Sequence, residues 1–424
     1  MGAALAVLVC LTLTIGMPVA FGLGIVAIGY FLISDFPLTT IPQKMLTGMD
    51  SFLLLAIPFF LLAGSLMNHG GVTQRLVDFA STLVGHVYGG LGHVTVVANV
   101  IMAGMSGTAA ADAAATGAVL IPQMIRKGYS RGFAAAISAS AATIGPIIPP
   151  SVSFIIFGSI TNVSIGALFL AGCIPGLLMG IYLMAACWLV SRRRGYGADR
   201  ARAGLEEIWR AFVRAAPALL TPVWVLGGMV GGIVTPTEAA AVAVVYSLIL
   251  GVAHGELRWS HVSPILTEVA VLTAAIYLLI AVFNVLGWIL AVEEVPQGVV
   301  SGFLSLTDSP AMALLLINIM LLLLGILIEP LPLLVILGPM LVPVIENYGI
   351  DPVHFGVVFV LNVLIGVVTP PIGTNMFITC AIAKCSVGEF TRESWPFILA
   401  LVILLMVVTY VPALTLFLPR LLMN

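Results

Sequence analysis

Apolar residues run on for the length of a bilayer crossing, allowing for tilt and short spans, near 2–15, 18–33, 52–69, 167–190, 214–234, 236–251, 265–290 and 396–418. These stretches predict membrane-spanning helices. Two further apolar stretches, 92–121 and 311–345, read as helical hairpins, and two others, 132–160 and 353–383, as interrupted helices. The break in the first interrupted helix is T-I-G-P-I-I-P-P-S, from Thr143 to Ser151. Prolines 146, 149 and 150 lack the N–H that a helix needs, which leaves carbonyls such as those of Ala142 and Gly145 without helical partners. Non-helical backbone is tolerated at membrane depth only where protein buries it or where it lines a cavity, so such breaks point to a site.

The pattern occurs twice. A constant shift of 221 residues carries Gly104, Pro122, Gly128, Gly145, Pro149 and Pro150 onto Gly325, Pro343, Gly349, Gly366, Pro370 and Pro371. Ser164-Ile165-Gly166 recurs one residue further on, as Ser386-Val387-Gly388. Each half then reads as three spans, a connecting amphipathic piece, a hairpin, a broken helix and a final span. The predicted organisation is a first repeat over 1–190, a polar joint over 191–214 and a second repeat over 215–424.

Composition decides the class. With 61% hydrophobic and 8% charged residues and a mean hydropathy of +1.19, too few polar residues remain to cover a soluble surface. The chain is therefore predicted to be an all-α polytopic membrane protein. A net charge of −2 gives no reason to expect nucleic acid as a partner. The five cysteines lie in or beside apolar segments without a C-x-x-C pair, which argues against a disulfide framework or a metal centre. Charge also orients the chain, because the joint from Ser191 to Arg214 holds seven of the sixteen Lys and Arg residues and is expected in the cytoplasm. Counting spans from it puts the Arg126, Lys127 and Arg131 loop inside, and Glu293, Glu294 and the N-terminus outside. The halves then have opposite orientation, an inverted repeat. The joint itself reads as a solvated linker with a helical patch at Leu205 to Val213.

The candidate chemistry gathers at the breaks. Gly104-Met105-Ser106-Gly107-Thr108 forms the first hairpin tip, with a helix starting near Ala109. A helix N-terminus with free N–H groups suits an anion, and unwound carbonyls suit a small cation such as sodium. Asp112 and Glu329 are acidic residues at membrane depth, where insertion costs roughly 2.5–3.5 kcal/mol and a pathway or paired partner is usual. Thr235-Pro236-Thr237-Glu238 fits a capping box that starts a helix. No two histidines stand four apart, which leaves no H-E-x-x-H site, and His69, His86 and His93 are expected at an interface. An intramembrane serine enzyme is a rival class, but G-M-S-G-T lacks the last glycine of a nucleophile elbow and no general base is evident. A channel is a second rival, since broken helices also build filters.

The motifs G-M-P-V-A (Gly16 to Ala20), P-F-F-L-L-A-G-S-L-M-N-H-G-G (Pro58 to Gly71), M-S-G-T-A-A-A-D-A-A-A (Met105 to Ala115), S-I-G-A-L-F-L-A-G-C-I-P-G-L-L-M-G (Ser164 to Gly180), T-P-T-E-A-A-A-V-A-V-V-Y (Thr235 to Tyr246), G-I-D-P-V-H-F-G-V (Gly349 to Val357) and T-P-P-I-G-T-N (Thr369 to Asn375) carry a resemblance. Together with T-I-G-P-I-I-P-P-S, they make the chain similar to the large, DctM-like membrane subunit of tripartite ATP-independent periplasmic (TRAP) transporters. The resemblance implies a bacterial inner-membrane secondary carrier with no cofactor and sodium as coupling ion. It also implies a scaffold with an elevator-type transport domain, and an organic-anion cargo such as a C4-dicarboxylate or sialic acid. A separate small four-helix membrane subunit and a periplasmic solute-binding protein would be its partners.

Carried onto this sequence, one sodium site would use Ser106, Thr108, Gly145, Ile148 and Pro150, and the other Gly366, Thr369, Pro371 and Glu329. Cargo would lie between the tips, near Ser106, Gly107, Asp112, Ser151, Thr374 and Asn375. The second tip, G-I-L-I-E-P, lacks the Ser and Thr content of the first, so the symmetry of the two sets is incomplete. An ion-coupled carrier of similar fold that needs no binding protein is the alternative.

Overall fold

The computed structural model describes residues 17–34 and 36–423 and, of Trp259, the backbone alone. The apolar run 2–15, the N-terminus expected outside and Cys10 lie outside the described residues. Nineteen α-helices account for the described chain, and its one β-bridge joins Tyr88 to Ala198. The first group comprises α1 (Val19–Ile33), α2 (Thr40–Met49), α3 (Ala56–His69, entered through the 3-10 turn Phe52–Leu55) and α4 (Val72–Val84). Next come α5 (Gly90–Ser106), α6 (Ala109–Arg126), α7 (Arg131–Ala142), α8 (Val152–Thr161) and α9 (Ile165–Arg194). After the joint, α10 (Leu205–Val230), α11 (Pro236–Ala253), α12 (Trp259–Val292) and α13 (Val295–Leu306) follow. The chain finishes with α14 (Pro310–Gly325), α15 (Pro330–Asn347), α16 (Pro352–Gly366), α17 (Thr374–Ala383), α18 (Val387–Tyr410) and α19 (Ala413–Leu422).

Helix starts follow local chemistry. Thr235 and Glu238 form the expected capping box under α11, with Pro236 at the first helical position, where a missing N–H costs nothing. Ser386 and Glu389 form a second box under α18, and Ser164 caps α9 through the N–H of Ala167. The recurrence of Ser-Ile/Val-Gly is thus a recurrence of helix starts. Among the described residues seven helices, including α3 with its 3-10 turn, α9, α10, α11, α12 and α18, are long and apolar enough to cross a membrane. By contrast α5, α8, α16 and α17 are apolar but too short to do so alone, because glycine and proline cut them at hairpin tips and breaks. Both Pro149–Pro150 and Pro370–Pro371 are cis.

Packing separates two sets of helices. In one set α12 runs alongside α1, α2 and α3, and α3 packs along α11. The other set holds the hairpins α5/α6 and α14/α15 and the broken helices α7/α8 and α16/α17. Within it the contacts are reciprocal. The first arm of each hairpin packs on the first half of the nearer broken helix, α5 on α7 and α14 on α16. Each second arm crosses to the far half of the other, α6 to α17 and α15 to α8.

Three elements depart from the sequence reading. The last span, expected over 396–418, is two helices, because Pro412 disfavours helical backbone at Val411 and the chain turns between α18 and α19. Helix α2 stands where the apolar pattern predicts no element. The joint is not merely solvated. Its Tyr196–Arg200 stretch lies on the corner between α4 and α5, where the Gly89 N–H donates to Tyr196 and Gly197 carbonyls and the Asp199 N–H to Gly85 O at 3.2 Å. The Asp199 carboxylate accepts from Leu91 N at 2.7 Å and from the Tyr129 hydroxyl at 2.5 Å. Arg194, at the end of α9, pairs with Glu393 on α18 at 2.5 Å. The expected helical patch at Leu205 to Val213 is the start of α10, which continues unbroken to Val230. His93, expected at an interface, is buried inside α5.

Candidate functional site

At the first tip α5 ends on Ser106, Gly107 turns the chain with φ +64°, and the extended Thr108 leads into α6. The tip presses on the first break: Gly107 O accepts from Val152 N at 3.4 Å, and a Cβ on Gly107 would stand 2.7 Å from Pro150 O. Only glycine fits both the left-handed backbone and this approach. One turn on, Asp112 is fully buried, and a Cβ on Gly145 would collide with its Oδ2 at 2.2 Å. The Ser106 side chain lies beside the Asp112 carboxylate, and neither group has a hydrogen-bond partner elsewhere among the described residues. A buried carboxylate left unpaired is uphill by several kcal/mol, on the order expected for breaking a buried ion pair. A proton, a cation or a donor on a bound molecule would relieve it. Ser151 is otherwise engaged, capping α8 through Phe154 N at 3.1 Å and donating to Pro146 O. Ser106, Gly107, Thr108, Asp112, Gly145, Pro150 and Ser151 therefore meet at one place, while the Ile148 side chain turns toward Gly176 on α9.

The second tip is built differently. A Cβ on Gly366 would stand 2.1 Å from Gly325 O, so α14 meets the end of α16 backbone to backbone. The Thr369 hydroxyl donates to Ile365 O at 2.7 Å, and Asn375 N to Val367 O at 3.1 Å. Asn375 also reaches across to Ala139 O on α7 at 3.3 Å, leaving its own Oδ1 unpartnered beside α7, whose Ser138 and Ser140 hydroxyls are unpartnered too. Thr374, next to it, is half-buried. The Glu329 side chain, at the start of α15, is exposed and makes no hydrogen bond or ion pair among the described residues, and Pro371 is exposed as well. The second tip thus lacks the polar closure of the first.

A cavity of about 400 Å³ opens under the first tip, between α6 and the two helices α3 and α12. Ser106 and Thr108 line one side; Ser65, Asn68 and His69 on α3 and Glu268 on α12 line the other. The Ser65 hydroxyl stands 3.5 Å from Glu268 Oε2, His69 Nδ1 is 2.9 Å from Ser65 O, and Thr73 donates to Asn68 Oδ1 at 3.2 Å. Where α3 meets the tip, Gly64 lets the backbones touch, since a Cβ there would be 2.9 Å from Ser106 Cα. The sequence reading missed this wall. Polar residues at the end of an apolar run were its one signal, and nothing local ties α3 to Glu268, two hundred residues away.

Comparison with known proteins agrees with the geometry. The family model of the tripartite ATP-independent periplasmic transporter, DctM component, matches residues 5–414. The "Sialic acid TRAP transporter large permease protein SiaM" of Vibrio cholerae is 44% identical over 408 residues, covering 96% of this chain and 95% of its own. The "C4-dicarboxylate TRAP transporter large permease protein DctM" of Pseudomonas aeruginosa is 40% identical, covering 93% and 92%. Among solved structures, the YdaH transporter of Alcanivorax borkumensis superposes with a TM-score of 0.60 over 86% of both chains at 13% identity, a likeness of fold alone. Such relatives are transporter permeases and not enzymes. A multi-pass helical chain matched by that model over nearly its whole length belongs to the DctM component family of tripartite ATP-independent periplasmic transporters.

Proposed function

We propose that this chain is the large permease of a sodium-coupled importer of an organic acid, a C4-dicarboxylate, a sialic acid or a similar carboxylate. It sits in a bacterial inner membrane with its N-terminus periplasmic and the 191–214 joint cytoplasmic. It works with a small four-helix membrane subunit and takes cargo from a periplasmic solute-binding protein. The observation that carries the reading is the unpartnered Asp112 carboxylate and Ser106 hydroxyl, sealed where a hairpin tip meets a broken helix. Sodium held by oxygens at this junction would offset the buried charge and order the tip, whose α6 N–H groups then hold a cargo carboxylate. A second sodium at Gly366, Thr369 and Pro371 would do the same at the other tip, with Glu329 moving in from its exposed position.

The exchange of hairpin arms between the two broken helices supports an inverted repeat. The hairpin set then moves as one body against α3, α11 and α12, an elevator. Uptake of labelled carboxylates into proteoliposomes holding both membrane subunits, with the cognate binding protein outside, tests the reading. Uptake that needs both an inward sodium gradient and the binding protein is the expected result. Sodium-driven uptake without a binding protein would identify a simpler carrier, and passive flux without sodium a channel.

A further inference from the structure

The two relatives above differ in the cargo that their names carry, so likeness does not choose between a dicarboxylate and a polyhydroxy acid. The cavity under the first tip does. Its volume of about 400 Å³ falls in the range of small-ligand sites. On the tip side it offers the start of α6, with Ser106 and Thr108 in its wall; Ser106 is 4% exposed and its hydroxyl is buried without a hydrogen bond. That side suits one carboxylate. The facing side holds the single charged group of the lining, Glu268, which is acidic, with the neutral Ser65, Asn68 and His69 around it. Among the described residues, no Lys or Arg lines the cavity to receive a second negative charge.

We infer that Glu268 selects the cargo, favouring a monocarboxylate that carries hydroxyl or amine donors and rejecting dicarboxylates; this rests on the transport reading above. Donors on the cargo point to the Glu268 carboxylate and the Ser65 hydroxyl, while the Asn68 amide meets cargo oxygens. A second carboxylate placed there would face the like charge of the exposed Glu268 carboxylate, a juxtaposition that is disfavoured.

The test reads cavity occupancy directly. Ala114, on α6, lines the cavity and is exposed. An Ala114→Cys reporter in the full chain with its small subunit, in nanodiscs and sodium buffer, is labelled with a maleimide and followed by mass spectrometry on the peptide that carries it. Gluconate and succinate are the probes. Gluconate is expected to protect at a concentration about tenfold below succinate, and adding Glu268→Gln should bring the two together. Glu268→Asp, which keeps the charge, should keep the preference and so separates selectivity from a folding defect. Equal or better protection by succinate in the Glu268 protein, a preference unmoved by Glu268→Gln, or protection by neither probe would overturn the inference. Because no binding protein is present, such a failure alongside intact sodium-driven uptake removes the selectivity claim alone. Loss of uptake removes the transport reading too.

Discussion

Gly107 shows how much a single position decides at the first tip. Its φ of +64° would cost an alanine about 1 kcal/mol or more, and the new Cβ would also stand 2.7 Å from Pro150 O. Gly107→Ala should therefore lift the tip off the break, lowering the thermal midpoint and abolishing uptake, while Gly128→Ala, with positive φ but nothing within 4 Å, should lose stability without losing uptake. Equal uptake in both variants would mean the tip's seat on Pro150 does not matter. On the sodium reading, Ser106→Ala and Thr108→Ala should raise the sodium concentration for half-maximal uptake while membrane insertion stays intact. Unchanged sodium dependence in both would remove these hydroxyls from the ion site. The tip residues were legible because Ser106, Gly107, Thr108 and Asp112 are neighbours in sequence. Glu268, Ser65 and His69 were not, since they reach the same cavity only through the packing of α3 and α12.

Among the elements, glycine and proline are punctuation that can be read without a structure. The tips at 107–108 and 326–329 and the breaks at 143–151 and 367–373 all fall where those residues interrupt apolar runs. Helix α2 and the docked joint stayed hidden for a different reason. The joint is held by Asp199 and Tyr196, whose partners Leu91, Tyr129 and Ser130 lie far away in the chain, and no local pattern encodes such pairing. The docked joint adds a prediction. Burial and the neighbouring Asp199 carboxylate push the Tyr129 hydroxyl above its ordinary pKa, so it stays a donor across the working range. In a double-mutant cycle, Tyr129→Phe and Asp199→Asn should couple by about 1.5–3 kcal/mol in stability, as a hydrogen bond to a charged acceptor does. Additive effects would show that the ring stacking of Tyr129 on Tyr196, with centroids 4.4 Å apart, holds the joint without help from the hydroxyl.

The two sets of helices meet where α3 packs on α5 and α8 and where α12 packs on α15, and Gly64 lies at one of these contacts. Helix α3, packed on α11 and α12, presents this glycine to the hairpin tip, and a Cβ would come within 2.9 Å of Ser106 Cα and 3.0 Å of Met105 O. If the hairpin set slides past α3 during transport, a large side chain at 64 is an obstacle to movement in addition to a local clash. Gly64→Leu should then cut the turnover rate by about tenfold or more, the equivalent of raising a barrier by about 1.4 kcal/mol, in protein that still purifies as a single species. Gly29→Leu is the matched control, since a Cβ at Gly29 on α1 meets nothing within 4 Å and the change only improves helix propensity. A hairpin that stays put would give a different pattern: Gly64→Leu would lower the thermal midpoint and the yield, yet the surviving folded fraction would turn over at the unmodified rate. Measuring turnover per folded molecule, with both variants in the same proteoliposomes, separates a moving interface from a static one.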